Sequence, residues 1–311
     1  RDRFNAYLNI NPRFCSEFGF QSWPSFAEAK QFVPEQDWNV TSPTFEQHQK
    51  NPRGNSIITE MFTRYFRFPF GFEQMLYLSQ VQQAMSIKTA CDHWRAISPV
   101  CRGMLYWQLN DNWPVSSWSS LEYSGRWKQL HYHAKRFFAP QYLVFSEHTG
   151  KLSLHLLNDA KESVGVSAKL HWVSWQGEVK QTWSLERTVS NDSNTVVWQL
   201  DEAFDSSELK SGFFYVEAQV GNERITNTWF SSHELKTLPM ERANIEVTIE
   251  ANKVTLIADK PAFFVHLECD IAGRFDDSSI TLLANQPVTV EFLGEDMATM
   301  AESLRVYHLM Q

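Results

Sequence analysis

The stretch Arg13-Phe14-Cys15-Ser16-Glu17-Phe18-Gly19-Phe20-Gln21-Ser22-Trp23-Pro24 sets one carboxylate among apolar and aromatic residues, with a glycine and a tryptophan close behind it. A second run, Gly103-Met104-Leu105-Tyr106-Trp107-Gln108-Leu109-Asn110-Asp111-Asn112-Trp113-Pro114, echoes it. Nearly continuous apolar runs of this length fit strands buried on both faces. The two read as neighbouring barrel strands that meet at one pocket, with Glu17 as the reactive group. A charge inside such a run is expensive unless it is paired or functional. Taken alone, Glu17 reads first as a structural carboxylate satisfied by an arginine such as Arg13, so its role depends on its surroundings.

Outward from the first run, residues 26–72 read as irregular, broken by Pro34, Pro43, Pro52 and Pro69 but packed through their many aromatics. His48 lies there as a surface histidine or a substrate contact. Glu73 to Ile97 reads as a helix with one apolar stripe through Val81, Cys91 and Trp94, a core face that implies no cofactor. A further helix is expected from Trp127 to Phe138, with His131 and His133 on different faces and therefore no metal site. Strand, loop, helix repeated twice is the rhythm of a (β/α)8 barrel, whose active residues sit at the C-terminal strand ends. Glu17 and Trp107 both fall at such ends. A full barrel takes about 250 residues, so residues 1–140 are expected to be its last part, with the preceding strands upstream.

After Pro140 the pattern changes to short alternating runs separated by Asn-Asp, Gly and Ser turns, the signature of an antiparallel sandwich. Residues 141–236 read as one antiparallel β-sandwich. Ser232 to Arg242 reads as a linker, and residues 237–311 as a second, smaller sandwich. The expected fold class is thus mixed α/β plus all-β. Neither sandwich shows a cluster of acids or histidines, so structural support is the leading reading for both.

Composition narrows the function. The net charge of −8 argues against nucleic acid, whose phosphates need clustered Lys and Arg. No apolar run approaches the ~20 residues that cross a bilayer. The four cysteines are scattered, without metal-ligand or disulfide spacing, and read as plain buried thiols. The chain opens on Arg1-Asp2-Arg3 without an initiator Met, so its native start is expected upstream, and its compartment stays open. The 12 Trp are the unusual feature, since their faces serve either a core or pyranose rings.

Residues Ser16 to Ser25 closely resemble the nucleophile segment of the β-mannosidases of glycoside hydrolase family 2. Tyr106 to Pro114, then Trp118-Ser119-Ser120-Leu121-Glu122-Tyr123 and Trp127-Lys128, resemble the next strand and helix of the same enzymes. The resemblance continues through both sandwiches, 141–236 and 237–311, which are similar to the immunoglobulin-like modules that follow the barrel, and it implies retaining exo-hydrolysis of a terminal β-mannoside. By that match Glu17 is the nucleophile and Trp107 floors the sugar pocket, with Gln21, Trp23, Asn110 and Trp113 lining it and no cofactor or metal. The family's acid/base, a Glu after an Asn, has no counterpart before Glu17, and neither Asp111 nor Glu122 matches it. The implied partners are the β-mannoside and the missing N-terminal half, without which the chain is expected to be inactive. The alternatives are a non-catalytic carbohydrate-binding or assembly fragment, or a sister specificity such as β-galactosidase or β-glucosaminidase.

Overall fold

Strand β1 (Cys15–Gly19) pairs in parallel with β2 (Met104–Trp107), setting Phe18 beside Tyr106 and Gly19 beside Trp107. The computed structural model in which they are seen describes residues 3–202 and 204–310. Parallel neighbours need a long crossover, and residues 20–103 supply it. Helices α1 (Phe26–Ala29), α2 (Pro43–Gln47), α3 (Gly54–Tyr65) and α4 (Phe72–Ala96) lie within it, and α5 (Gln129–Phe137) follows β2. The two strands are not buried on both faces as expected: Ser16, Glu17, Leu105 and Trp107 are exposed, and the sheet they form has only two strands.

Helix α3 falls where an irregular segment was expected. Ile57, Ile58, Met61, Phe62 and Tyr65 are buried along one of its faces, a helical repeat hidden behind the Pro52 and Gly54 breakers. Gly54, the first residue of the helix, leaves room for the ends of the Gln21 and Gln49 side chains, which a Cβ there would meet at 2.4 and 2.5 Å. Helix α4 is buried on nearly all sides from Leu76 to Ile87, wider than the single stripe expected. Its buried glutamines explain the difference, because they hydrogen-bond the backbone of α3 and of neighbouring loops.

The rest is two immunoglobulin-like β-sandwiches. The first stacks a β3-β4-β7 sheet on a β6-β5-β8-β9 sheet, all pairs antiparallel. Its strands are β3 (Gln141–Ser146), β4 (Ser153–Asn158), β5 (Val164–Ser174), β6 (Val179–Val189), β7 (Ser193–Gln199), β8 (Gly212–Val220) and β9 (Glu223–Trp229). The inner faces bury Leu154, Leu170, Trp172 and Phe214 among others. The second sandwich has strands β10 (Ile245–Glu250), β11 (Lys253–Ala258), β12 (Ala262–Glu268), β13 (Arg274–Phe275), β14 (Ile280–Leu282), β15 (Val288–Leu293) and β16 (Arg305–Tyr307). They form sheets β10-β11-β15-β13 and β14-β12-β16, around Val254, Leu256, Val265 and Phe292.

The expected linker is not a free tether. Leu235, Leu238 and Met240 are buried in a core that also takes Trp23, Phe62 and Tyr65 from the helical part, Trp175 and Phe213 from the first sandwich, and Phe263 and Tyr307 from the second. All three parts share that one core.

Candidate active site

The C-terminal ends of β1 and β2 meet closely because residue 19 is glycine. A Cβ there would stand 2.4 Å from the Trp107 carbonyl oxygen and 3.3 Å from Trp118 Cδ1. Glu17, two residues before it, projects from an exposed position on β1. Trp107 ends β2 with about half its surface open (49%), and its peptide bond to Gln108 is cis. The loop after β2 then folds back on itself. Gln108 N–H donates to Trp118 O at 3.0 Å and Leu121 N–H to Leu109 O at 2.8 Å. Gln108 Nε2 donates to the Asn110 carbonyl at 2.6 Å, and the Asn110 side chain is exposed at the tip of the loop.

A second segment, residues 47–51, is stitched against this loop. Lys50 N–H donates to Ser116 O, and Ser116 N–H donates to His48 O. The Lys50 ammonium lies 2.6 Å from Asp111 Oδ1, while Asp111 Oδ2 accepts from Ser117 Oγ at 2.7 Å. Asp111 is thereby committed to holding the loop. His48 Nδ1 donates to Pro114 O at 2.6 Å. Its ring stacks on Phe32 at 4.5 Å and approaches Trp113 at 5.2 Å, so half-buried Trp113 is fixed from behind. The expectation of a surface histidine at 48 is replaced by this packed role.

Gln21 is buried beneath the loops, its Nε2 donating to Gln49 Oε1 at 3.0 Å. Its own Oε1 is a buried acceptor with no partner among the described residues. Trp23 does not line the pocket as expected. It is wholly buried between Phe45 and Phe62, and its Nε1 donates to Asn55 Oδ1 at 2.8 Å. Two rings and a satisfied indole N–H are what the interior asks of a tryptophan. The Ser22-Trp23-Pro24 turn therefore anchors the loop, and the residues left around the strand ends are Glu17, Trp107, Asn110 and Trp113.

The supporting residues were not singled out in the sequence. Gln83 on α4 donates through Nε2 to Phe20 O, Trp118 O and Ser119 O at 3.0–3.2 Å and accepts from Ser22 Oγ at 2.8 Å. One side chain thus binds the loops after both strands. Below them Glu122 and Lys128 are buried together. Glu122 accepts from Ser25 N and from Ser25 Oγ at 2.7 Å, and Lys128 Nζ donates to Ser22 Oγ at 3.1 Å. Burial, reinforced by the nearby Glu28 carboxylate, pushes the Glu122 carboxyl up to about 7, while burial pulls the Lys128 ammonium down. Gly, Trp and acidic residues carry a visible motif. A buried Gln or Lys reached across tens of residues carries none.

Among the described residues no group of three or more His, Cys, Asp or Glu is placed to hold a metal, and no helix is long and apolar enough to cross a membrane. The four cysteines are free thiols, three buried and Cys15 partly so.

A carboxylate and a half-exposed tryptophan thus stand on adjacent parallel strands, followed by two β-sandwiches, and the relatives that share this arrangement are glycoside hydrolases. Residues 150–237 match the family described as "Mannosidase Ig/CBM-like domain", and residues 240–311 match its "Ig-fold domain" companion, Ig_mannosidase. The β-mannosidase of Capra hircus is 31% identical over 96% of this chain and 37% of its own length. That of Mus musculus is 37% identical over 91% of this chain and 35% of its own. The β-D-mannosidase structure from Dictyoglomus thermophilum superimposes with a TM-score of 0.86 at 24% identity, over 99% of this chain and 38% of that one. An exo-chitosanase from Amycolatopsis orientalis has the same fold at 12% identity (TM-score 0.74, 99% of this chain, 44% of that one). The chain belongs with the β-mannosidases, and it spans little more than a third of the length of the three named above.

Proposed function

We propose that β1, β2 and their helices are the end of a (β/α)8 barrel, and that the protein acts in its full length as a retaining exo-β-mannosidase with Glu17 as nucleophile. The observation that carries the reading is the juxtaposition at the strand ends. Gly19 lets β1 approach the Trp107 carbonyl, so Glu17 and the Trp107 ring sit on neighbouring strands that open to the same side. In this chemistry the Glu17 carboxylate attacks the anomeric carbon as the bond to the leaving oxygen breaks. A second carboxyl group about 5–5.5 Å away donates a proton to that oxygen, then takes one from the water that releases the sugar. By the resemblance the second group lies upstream of Arg1; Asp111 and Glu122, the carboxylates near the strand ends, are both engaged in holding loops. Trp107 offers a face for the terminal sugar, with Asn110 and Trp113 at the rim.

The test is hydrolysis of an aryl β-mannoside. The 311-residue chain alone is expected to show no turnover. In the full-length enzyme Glu17→Gln should lower kcat by on the order of 10³-fold or more, as removal of a nucleophile does, while mannose still binds. Trp107→Ala should raise KM and lower kcat together, since the ring meets the sugar in both the ground and transition states. Full activity in Glu17→Gln overturns the assignment.

A further inference from the structure

A cavity of about 340 Å³ lies where α4, α5 and both sandwiches meet, within the size range of small-ligand pockets and at the kind of domain junction they favour. None of its lining residues belongs to β1, β2 or the loops that follow them. We propose that it is a second, non-catalytic site that takes a neutral mono- or disaccharide.

The first support is the backbone of β12. Phe264 has a φ of +50°, the left-handed region that bulky residues avoid, and the pairing of β12 with β14 shifts register between Ala262 and Val265. Alternation is broken there. Ala262 and Val265 enter the core of the second sandwich, while Phe263 and Phe264 both leave it. Phe263 joins an aromatic cluster with Trp175, Phe213 and Phe230. Phe264 lines the cavity with its ring 5.7 Å from that of His133, and its carbonyl accepts a hydrogen bond from Tyr77 OH at 2.7 Å. A strained residue fixed by a buried tyrosine and bordering a hollow is a feature that clusters at ligand clamps.

The second support is the charge balance of the wall. Lys88 pairs with Asp92, and Asp92 Oδ1 accepts from Tyr142 OH at 2.8 Å. Arg136 meets Asp277 at 3.1 Å and donates to Ser279 O at 3.0 Å. His133 Nε2 lies 2.9 Å from Ser279 Oγ, and burial holds its pKa well below the ordinary histidine value, so the ring is neutral. Each of these cations is thus matched by an anion, and the remaining carboxyl group on the wall, Glu147, is pushed up by burial, so the cavity favours a neutral ligand over an ionic one. Donors and acceptors stand beside aromatic faces, the combination that suits a ring with hydroxyl edges and an apolar face.

Calorimetric titration of the 311-residue chain with methyl β-mannoside and with mannobiose tests the proposal. One site is expected, with a Kd on the order of 1 mM, unchanged by Glu17→Gln and Trp107→Ala. Thr226→Trp, which fills the cavity from β9, and Phe264→Ala, which removes its ring, should each weaken binding at least about tenfold. Thermal melts confirm that both variants fold, and Thr226→Trp carries the test if Phe264→Ala does not. Absence of heat for either sugar overturns the proposal. So does binding that Trp107→Ala abolishes, or binding that a folded Thr226→Trp leaves intact. Because the strand-end variants are scored separately, failure of the nucleophile assignment would leave this result standing.

Discussion

Two carboxylates near the strand ends have opposite environments. Glu17 is exposed, whereas Glu122 is buried with Ser25, Gln80 and Lys128 around it. The Glu122 carboxyl, pushed up to about 7 by burial and by Glu28, binds its proton more tightly in the folded protein than in the unfolded one. Between about pH 4.5 and 7 the native state therefore holds the extra proton on Glu122, and this group's contribution to stability falls as pH rises through that window. The sign is opposite to that of histidines such as His131, His233 and His266, whose pKa burial lowers. The loss from Glu122 is on the order of 3 kcal/mol for a shift of this size. Denaturant titrations of the native chain and of Glu122→Gln from pH 4.5 to 7.5 should show that contribution as the difference between the two proteins, with Glu122→Gln gaining stability relative to the native chain as pH rises. A variant whose slope matches that of the native chain would show that Glu122 stays ionised throughout. Glu122 was visible in the sequence as a carboxylate without a motif, but its burial was not, because its environment comes from Ser25 and Glu28, nearly a hundred residues earlier.

At the scale of elements, α4 does more than fill a core. Gln83 donates to three loop carbonyls and accepts from one hydroxyl. Trp118 O and Ser22 Oγ keep a second partner in Gln108 N–H and Lys128 Nζ, but each buried group that loses its partner costs about 1–3 kcal/mol. Gln82, one residue earlier and equally buried, donates only to Ile58 O. Urea unfolding should therefore separate them: about 3 kcal/mol or more lost in Gln83→Leu, about 1 kcal/mol in Gln82→Leu. Equal losses would mean that the loops are held by other contacts. The helix itself was legible in the apolar spacing of 73–97, and so were strands that alternate, such as β5 and β11. Helix α3 was not, since Pro52 and Gly54 punctuate its start. Nor was β6, an edge strand whose Lys180, Gln181 and Thr182 face water and weaken the apolar signal. In the candidate site the motif pointed to Glu17 and Trp107. It misled at Trp23, because sequence alone cannot tell a ring in a core from a ring in a pocket.

At the scale of the whole molecule, immunoglobulin-like modules are often independent beads, joined by exposed linkers that few contacts cross. Here the second sandwich is locked to the helical part by charge as well as by the shared aromatic core. Glu268 Oε1 accepts from Ala27 N–H at 2.6 Å and from Arg305 Nη2 at 3.3 Å. Asp270 pairs with both Arg305 at 2.8 Å and Lys30 at 2.6 Å, and its carbonyl accepts from Arg126 at 3.0 Å. Arg305 also faces Glu73, which accepts from Tyr307 OH. A buried carboxylate of this kind adds little over an apolar replacement of the same shape, but removing it strands the remaining partners at a cost of about 3–5 kcal/mol. Glu268→Ala is therefore expected to lower the stability of the entire chain by about 3 kcal/mol. The melt should keep one cooperative transition, followed both by tryptophan fluorescence and by far-ultraviolet circular dichroism. Deleting residues 240–311 should be more severe, because it removes Phe263 and Tyr307 from the common core and leaves Trp175, Phe213 and Tyr77 facing water. The shortened chain should aggregate. Two separated transitions in the native chain, or a shortened chain that melts at the native temperature, would show instead that the sandwich is a bead after all.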